Sequence, residues 1–289
     1  MRMKSVLVAV MVATLPLGAI AKDLHAGDHV SVPDEVIAQQ RAELLKNTQD
    51  LGYGPQSPRD IGSVAGTNKR LFGPAPAHTE MNLCDIHFHK NAEHKGGEFT
   101  TYAGNGDGRG YMTGFRYSGT LTEAESAPVE GEICPSDHGS LKVGDTIEVH
   151  YVFSSAQAVP GPSLGTCLTD AIKNPQLRVM AQVLVLVNDE RAADFVELTK
   201  YGLKDGLYQA LNIPENTGAP VQYTGSTTGP AYNETGSPFQ VSWSVRPKVL
   251  KVNAESVGRW CQGNDFNEDH AHGVRTLVIE QKLLSEIQR

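Results

Sequence analysis

The chain has 289 residues and a formal net charge of −8 at pH 7. This length is enough for one large domain or two small ones. An acidic chain lacks the basic surface that nucleic acids require, so we expect no nucleic-acid partner. The hydrophobic share of 39% is ordinary for a globular protein.

The first 21 residues have the pattern of a secretory signal peptide. Arg2 and Lys4 precede an apolar run from Val6 to Leu17, and the small residues Ala19 and Ala21 form a cleavage site. The apolar run is too short to cross a membrane, and no later stretch is long enough. We therefore expect a soluble mature protein that is periplasmic or secreted, with no membrane partner after cleavage.

One helix is expected near the start of the mature chain. Residues 22–32 are expected to form a leader without regular structure. Apolar residues at helical spacing predict a helix from Pro33 to Lys46. A stretch rich in Gly, Pro, Ser and Asn predicts irregular structure over 52–78. We divide the chain into a signal peptide (1–21), a leader with its helix (22–50) and one main domain (51–289).

The main domain is expected to be rich in strands, because β-branched and aromatic residues recur from Asn82 onward. The predicted strands cover residues 83–89, 99–102, 111–117, 118–121, 146–153, 177–187 and 239–245. Residues 104–110 predict a turn, 222–232 a loop, and short helices are expected within 195–211 and 277–284. The fold class is therefore α+β and mainly β: a single domain on a large, mostly antiparallel central sheet with short peripheral helices.

The four cysteines suggest two disulfides, because the chain is expected in an oxidising compartment. Three pairings are possible. We favour Cys134–Cys167, which bracket a strand, together with Cys84–Cys261. Cys84 lies three residues before His87, so strict alternation places it on the opposite face of the strand from the histidines.

The stretch His87-Phe88-His89 predicts a metal site. Two residues at positions i and i+2 of a strand point to the same face, so both imidazoles can hold one ion. Zinc prefers nitrogen ligands in a tetrahedral set, and His150 on another predicted strand is the best third ligand. Glu148 shares the face of His150 and can accept a hydrogen bond from a metal-bound imidazole. Three imidazoles leave one position open, which is typical of a catalytic site.

The histidine pattern has two other interpretations. In cupins a glutamate at the position of Glu93 would be a metal ligand, but the glycine expected before the first histidine is Met81 here, and no Pro-x-Gly precedes His150. A second His-x-His, at His270 and His272, lies among acidic residues. We favour a structural loop there over an accessory metal site.

Four stretches in chain order resemble carbonic anhydrases of the α class. They are Gln56-Ser57-Pro58-Arg59-Asp60-Ile61, His87-Phe88-His89, Glu148-Val149-His150 and Tyr223-Thr224-Gly225-Ser226-Thr227-Thr228-Gly229-Pro230. Two other features resemble the delta class instead. They are the short gap from His89 to Glu93-His94 and the tail around Trp260-Cys261 and His270. The chain therefore resembles a bacterial delta-class carbonic anhydrase with α-class-like site motifs.

The resemblance implies reversible hydration of CO2 to bicarbonate by attack of a zinc-bound hydroxide. One Zn2+ per chain would be held by His87, His89 and His150. The resemblance also implies that Thr228 orients the hydroxide (or Thr227, if the loop slips by one) and that Glu93 accepts a hydrogen bond from this threonine. Glu148 would support the third histidine. The CO2 pocket would be formed by Val183, Val185 and Trp243.

The resemblance leaves some questions open. His94 is more consistent with a structural role than with a fourth ligand. The proton shuttle has no clear match, so His78 and His138 are only candidates, and bulk buffer could serve. A non-catalytic periplasmic metal-binding relative and a cupin-type metalloenzyme remain the alternative functions.

Overall fold

Long apolar strands form the centre of the molecule. The computed structural model describes residues 31–70, 72–227 and 229–288. Its strands are β1 (Asn82–Lys90), β2 (Thr101–Tyr102), β3 (Phe115–Arg116), β4 (Thr146–Ser154), β5 (Leu177–Val187), β6 (Tyr201–Lys204), β7 (Leu207–Ala210), β8 (Val221–Ser226), β9 (Gln240–Val245) and β10 (Leu250–Asn253). Its α-helices are α1 (Asp34–Lys46), α2 (Phe195–Leu198) and α3 (Ala254–Cys261).

The main sheet has the strand order β1-β4-β5-β9-β8, with β10 also paired to β5. The β1–β4, β4–β5 and β8–β9 pairs are antiparallel, whereas β9 and β10 run parallel to β5 along successive parts of its length. The predicted mainly β fold with a mostly antiparallel central sheet is therefore confirmed. The hairpins β2–β3 and β6–β7 lie outside this sheet.

The two faces of the sheet have different roles. Along β4, Ile147, Val149, Tyr151 and Phe153 enter one core, which α2 and α3 cover with Phe195, Val257 and Trp260. The alternate residues of β4 face a second core that contains Val183 and Trp243. Because side chains alternate along a strand, Glu148 and His150 both lie on this second face.

Several element predictions hold and others are wrong. The helix predicted over 33–46 and the strands predicted over 83–89, 146–153, 177–187 and 239–245 are confirmed within two residues. Residues 222–232 are not simply a loop, because 221–226 form β8 and pair with β9. The strand predicted over 118–121 is absent from the described residues, and the C-terminal helix is reduced to one 3-10 turn at Gln281–Leu283.

A β-bulge at Cys84 interrupts the alternation of β1. The register shifts between Leu83, opposite Phe153, and Asp85, opposite Val152. The extra residue turns Cys84 into the second core, on the histidine side of the sheet, contrary to the expectation from strict alternation. There it meets Cys167.

The predicted disulfide pairing is wrong, although two disulfides do form. Cys84 bonds to Cys167 and Cys134 bonds to Cys261, with Cα–Cα distances of 5.0 and 5.5 Å. The 3-10 turn Leu164–Cys167 packs on β1, where the Thr166 hydroxyl donates to the Cys84 carbonyl at 2.7 Å. The other bond ties residue 134 to α3. The pairing follows these tertiary contacts rather than the order of cysteines along the chain.

Three predictions concern residues wholly or largely outside the described part of the chain: the signal peptide (1–21), the leader (22–32) and Thr228. Among the described residues, no helix is long and apolar enough to cross a membrane.

Candidate metal centre

The three predicted ligands come together where β1 and β4 lie side by side. His87 pairs directly with His150, and His89 pairs with Glu148. Ligating atoms of the three histidines all lie within 4.8 Å of one another. Nε2 of His87 and Nδ1 of His150 face each other at 3.3 Å. Two nitrogens bound to one tetrahedral zinc ion are also about 3.3 Å apart, so this pair fits the ion.

The second ring nitrogen of each histidine faces an acceptor. Nδ1 of His87 lies 2.6 Å from Oδ2 of Asp85, and Nδ1 of His89 lies 2.9 Å from the carbonyl oxygen of Gly273. Nε2 of His150 lies 3.3 Å from Oε1 of Glu148, although the angle is poor for a hydrogen bond. The acceptors of His87 and His89 select the tautomers that leave Nε2 of each ring free for a metal. On His150, Nδ1 is the nitrogen that faces His87.

Glu148 is the first member of a buried network. Its Oε1 lies 2.7 Å from His94 Nδ1, and the other His94 nitrogen lies 2.7 Å from the Tyr223 hydroxyl. That hydroxyl donates to Ser57 Oγ at 3.1 Å, and Ser57 also accepts from the backbone N–H of Ser226. The network connects the metal-binding strands to the Gln-Ser-Pro segment and to the start of the threonine loop. Both ring nitrogens of His94 therefore have partners within this network.

A left-handed turn after β1 places Glu93 behind the histidines. Asn91 has φ +65°, a conformation that asparagine tolerates better than most residues, and its side chain donates to the Thr113 carbonyl at 2.8 Å. The chain then folds back over β4, so that the backbone N–H of Glu93 donates to Glu148 at 2.7 Å. The Glu93 carboxylate is 2% exposed, and its Oε1 has no partner among the described residues.

The electrostatic environment favours the neutral form of two of the three histidines. Burial, reinforced by the neighbouring imidazoles, lowers the pKa of His89 well below its ordinary value. Burial outweighs the attraction of Glu148 and lowers the pKa of His150 to about 4. His87 differs: burial opposes its protonation, but the charge and hydrogen bond of Asp85 raise its pKa above the ordinary value.

The two buried glutamates behave in opposite ways. Burial would raise the pKa of Glu148, but His94 and His150 hold it well below its ordinary value, so this carboxylate stays charged. Burial and the charge of Glu148 raise the pKa of Glu93 well above its ordinary value, although Arg275 opposes the shift.

A second ligand group shares His150 but is a poorer metal site. Glu93, His94 and His150 also approach closely enough to hold an ion. However, both ring nitrogens of His94 already have partners, and Oε2 of Glu93 lies 3.8 Å from Nε2 of His150, the nitrogen that faces away from His87. Glu93 therefore lies behind the three histidines rather than beside them, contrary to cupin spacing.

A cavity of about 480 Å³ opens onto His87 and His89. Its wall is largely apolar and includes Leu164, Pro230 and Phe239. The expected pocket residues are placed differently. Val183, Val185 and Trp243 are buried on the histidine side of the sheet and do not line this cavity, although Trp243 packs edge-on against His150 with ring centroids 5.1 Å apart.

Three other described histidines differ in their distance from the cavity. His78 packs on Phe153, which belongs to the opposite core, so it is remote from the cavity. His138 stacks on Tyr111, a cavity residue, with centroids 3.3 Å apart. His272 lines the cavity beside Glu268, and its ring centroid lies 5.7 Å from that of His87.

The loop of His270 and His272 extends the edge of the sheet. The backbone N–H of His272 donates to Phe88, and its carbonyl accepts from Lys90. Among the described residues, no group of three metal-ligating side chains forms around His270 and His272. This placement fits a structural loop at the rim of the cavity.

The sequence analysis did not identify Asp85 as the hydrogen-bond partner of His87. The spacing could have indicated it, because Asp85 lies two residues before His87 and alternation puts both side chains on one face. The carbonyl of Gly273 and the hydroxyl of Tyr223 had no comparable signal, since both reach the site from distant parts of the chain.

Comparison with known proteins gives one match to a family. A family model described as Delta carbonic anhydrase matches residues 78–256, more than half of the chain. No curated protein sequence matches. Similar solved structures include a hyperthermostable carbonic anhydrase from an active hydrothermal vent chimney (14% identity, TM-score 0.27, covering 80% of this chain and 87% of that chain). Two others are an α-carbonic anhydrase from Thermovibrio ammonificans with the inhibitor sulfanilamide (15%, 0.24, 75% and 83%) and a carbonic anhydrase from Chlamydomonas reinhardtii with acetazolamide (16%, 0.28, 78% and 87%). These TM-scores are too low to carry an argument.

Proposed function

Because this chain belongs to the delta carbonic anhydrase family, we propose that it catalyses the reversible hydration of CO2 with one zinc ion held by His87, His89 and His150. The observation that carries the proposal is the arrangement of the three imidazole rings. One nitrogen of each ring faces the other two rings, and the second nitrogen faces Asp85, Gly273 or Glu148. Three imidazoles with one open position are typical of a catalytic rather than a structural zinc site.

Zinc, when bound there, supplies the Lewis acidity that makes hydroxide available as a nucleophile at neutral pH. The residues of the chain position the reactants. CO2 is small and apolar, so the apolar wall around Leu164 and Phe239 suffices to hold it beside the histidines. We assign to Glu93, whose Oε1 is buried and has no partner among the described residues, the role of accepting a hydrogen bond from the side chain that orients the nucleophile. We assign that donor to Thr228.

The protein is proposed to act outside the cytoplasm. The pattern of residues 1–21 supports export through a signal peptide. Two buried disulfides support an oxidising compartment such as the periplasm.

The test combines metal analysis with stopped-flow CO2 hydration. The purified protein should contain one zinc ion per chain and hydrate CO2. His150→Ala should lose the metal, because two imidazoles are too few to hold zinc tightly. His78→Ala is the matched control: it also removes an imidazole, but from the opposite core, and should keep the metal.

The alternatives give different results. Bound zinc without hydration would support a non-catalytic metal-binding relative. Iron or manganese as the native metal, lost on replacement of Glu93, would favour a cupin-type enzyme. Full metal content in His150→Ala would refute the ligand assignment.

A further inference from the structure

A second pocket, of about 640 Å³, lies at the end of the main sheet where β9 and β8 run side by side. It shares no lining residue with the cavity beside the metal centre. Its charged lining residues are three cations, Lys69, Arg70 and Arg178, and one carboxylate, Glu286. This local excess of positive charge contrasts with the net charge of −8 on the whole chain.

The guanidinium of Arg178 is buried without an anion. The residue is 9% exposed. Its Nε donates to the Pro76 carbonyl at 2.7 Å and its Nη2 donates to the Ala75 carbonyl at 2.5 Å, whereas Nη1 has no hydrogen-bond partner among the described residues. Burial lowers the pKa of this guanidinium. Because buried charges are ordinarily paired, a cation held only by neutral carbonyls indicates a place for an anion.

Two hydroxyl groups lie in register with Arg178. Arg178 of β5 is opposite Ser242 of β9, and Ser242 is opposite Thr224 of β8, so the three side chains share one face of the sheet. Val179, the next residue of β5, enters the core on the histidine side, so this row lies on the other face. The Ser242 Oγ accepts from the backbone N–H of Ala75 at 2.8 Å, which leaves its own hydrogen to donate. All three residues of the row line the pocket.

Lys69 and Arg70 add positive charge at the rim. Backbone N–H groups of Thr67 and Asn68, just before them, donate to carbonyls of residues 281–284. The segment that carries the two cations is therefore held in place. Both residues are exposed, and neither side chain forms a hydrogen bond or an ion pair within the described part of the chain. Their charges are thus available to a ligand.

We propose that this pocket is a second ligand site, which binds a small oxyanion through Arg178, Ser242 and Thr224, with Lys69 and Arg70 attracting it. Guanidinium groups suit both carboxylate and phosphate oxygens, and hydrogen bonds to charged groups are stronger than neutral ones. The volume is within the range of small-molecule pockets, so the oxyanion can be part of an organic molecule. The proposed site uses none of the metal-binding residues and does not depend on the proposed function.

The experiment is isothermal titration calorimetry of the zinc-loaded protein with phosphate, citrate and bicarbonate at constant ionic strength. The anion that binds most tightly shows whether the site takes a phosphate group, a carboxylate group or the bicarbonate ion. The double variant Lys69→Gln/Arg70→Gln should bind that anion about 10-fold more weakly, and Arg178→Met at least about 10-fold more weakly, because each loses charge-assisted contacts.

The matched control is the double variant Lys142→Gln/Lys204→Gln. It removes the same number of positive charges from exposed lysines outside the pocket, and should bind the anion as the unaltered protein does. A loss of binding in this control as large as in Lys69→Gln/Arg70→Gln would show a general effect of net charge and overturn the proposal.

Arg178→Met leaves two carbonyls without their donor, so denaturant unfolding must check that it is folded. If it does not fold, Lys69→Gln/Arg70→Gln decides. Equal binding by the unaltered protein and both pocket variants would place the anion elsewhere, for example at zinc, and would overturn the proposal, as would no binding of any of the three anions. An unaltered protein that binds an anion in this pocket but does not hydrate CO2 would refute the proposed function alone.

Discussion

The acceptors on the far nitrogens of His87 and His89 determine which nitrogen of each ring is left for the metal. His87 has a carboxylate, His89 a carbonyl and His150 a more distant carboxylate. Strand alternation alone indicated the first two histidines, and the Glu-x-His pattern indicated the third. The acceptor from Gly273 was not predictable, because it is 184 positions from His89 in the chain.

The role of Thr228 is tested at the residue scale by two neighbouring substitutions. Thr228→Ala should keep zinc, because it removes no ligand, and should lose hydration rate by on the order of 100-fold, the usual loss for one preorganised hydrogen bond at a reacting group. Metal analysis and stopped-flow hydration of the same samples measure both effects.

Thr227→Ala is the companion variant. Thr227 lines the cavity, and its backbone N–H donates to the Phe239 carbonyl at 3.0 Å, a bond that the substitution leaves in place. A much smaller rate loss than in Thr228→Ala is expected. The reverse order would show that the loop is shifted by one residue and that Thr227 orients the nucleophile.

At the scale of elements, the strands that carry the ligands were the most predictable. β4 and β5 are continuous runs of β-branched and apolar residues, and their observed bounds match the sequence pattern within one residue. β8 was missed because its Gly and Thr residues resemble a loop, whereas pairing with β9 decides its conformation. α3 was missed despite a capping signal at Asn253, whose side chain accepts from the N–H of Ser256.

The two disulfides should have similar effects on stability but different effects on the metal. They close loops with sequence separations of 83 and 127 residues. Loop entropy predicts a loss of about 4.5 and 4.9 kcal/mol of unfolding free energy when each is removed by a double Cys→Ala substitution. Denaturant unfolding of the metal-free proteins measures this loss.

Only the Cys84–Cys167 bond is attached to the ligand strand. Removing it should therefore speed zinc release, whereas removing Cys134–Cys261, which ties residue 134 to α3, should leave release nearly unchanged. Equal effects of the two double variants on zinc release would show that general destabilisation, not anchoring of β1, is responsible.

At the scale of the whole molecule, the C-terminal segment holds the Gln-Ser-Pro segment in place. Backbone N–H groups of Gln56, Thr67 and Asn68 donate to carbonyls of residues 281–284. Leu283, Leu284 and Ile287 are buried. The Arg59 guanidinium, also buried, donates to the Ser285 carbonyl. Segments near the two ends of the described chain thus pack against each other.

Deleting residues 281–289 should destabilise the protein by at least about 4 kcal/mol, because three buried apolar side chains are lost, each contributing about 1.5–3 kcal/mol. Thermal or denaturant unfolding measures the change. Deleting only residues 288–289 is the control, since Gln288 is exposed, and should change stability by less than about 0.5 kcal/mol. Equal stability of the two truncated forms would contradict the role of this segment.

The amino-acid pattern alone was enough to predict the three clustered histidines, Glu148 and the strands that carry them, because strand alternation is a local property of the backbone. The disulfide partners, the face occupied by Cys84 and the network from Glu148 through His94 to Tyr223 could be seen only in the folded chain. These depend on a bulge that breaks alternation and on contacts between distant segments. Such contacts cannot be predicted from a local stretch of sequence, because each one forms only when the sheet brings its distant segments together.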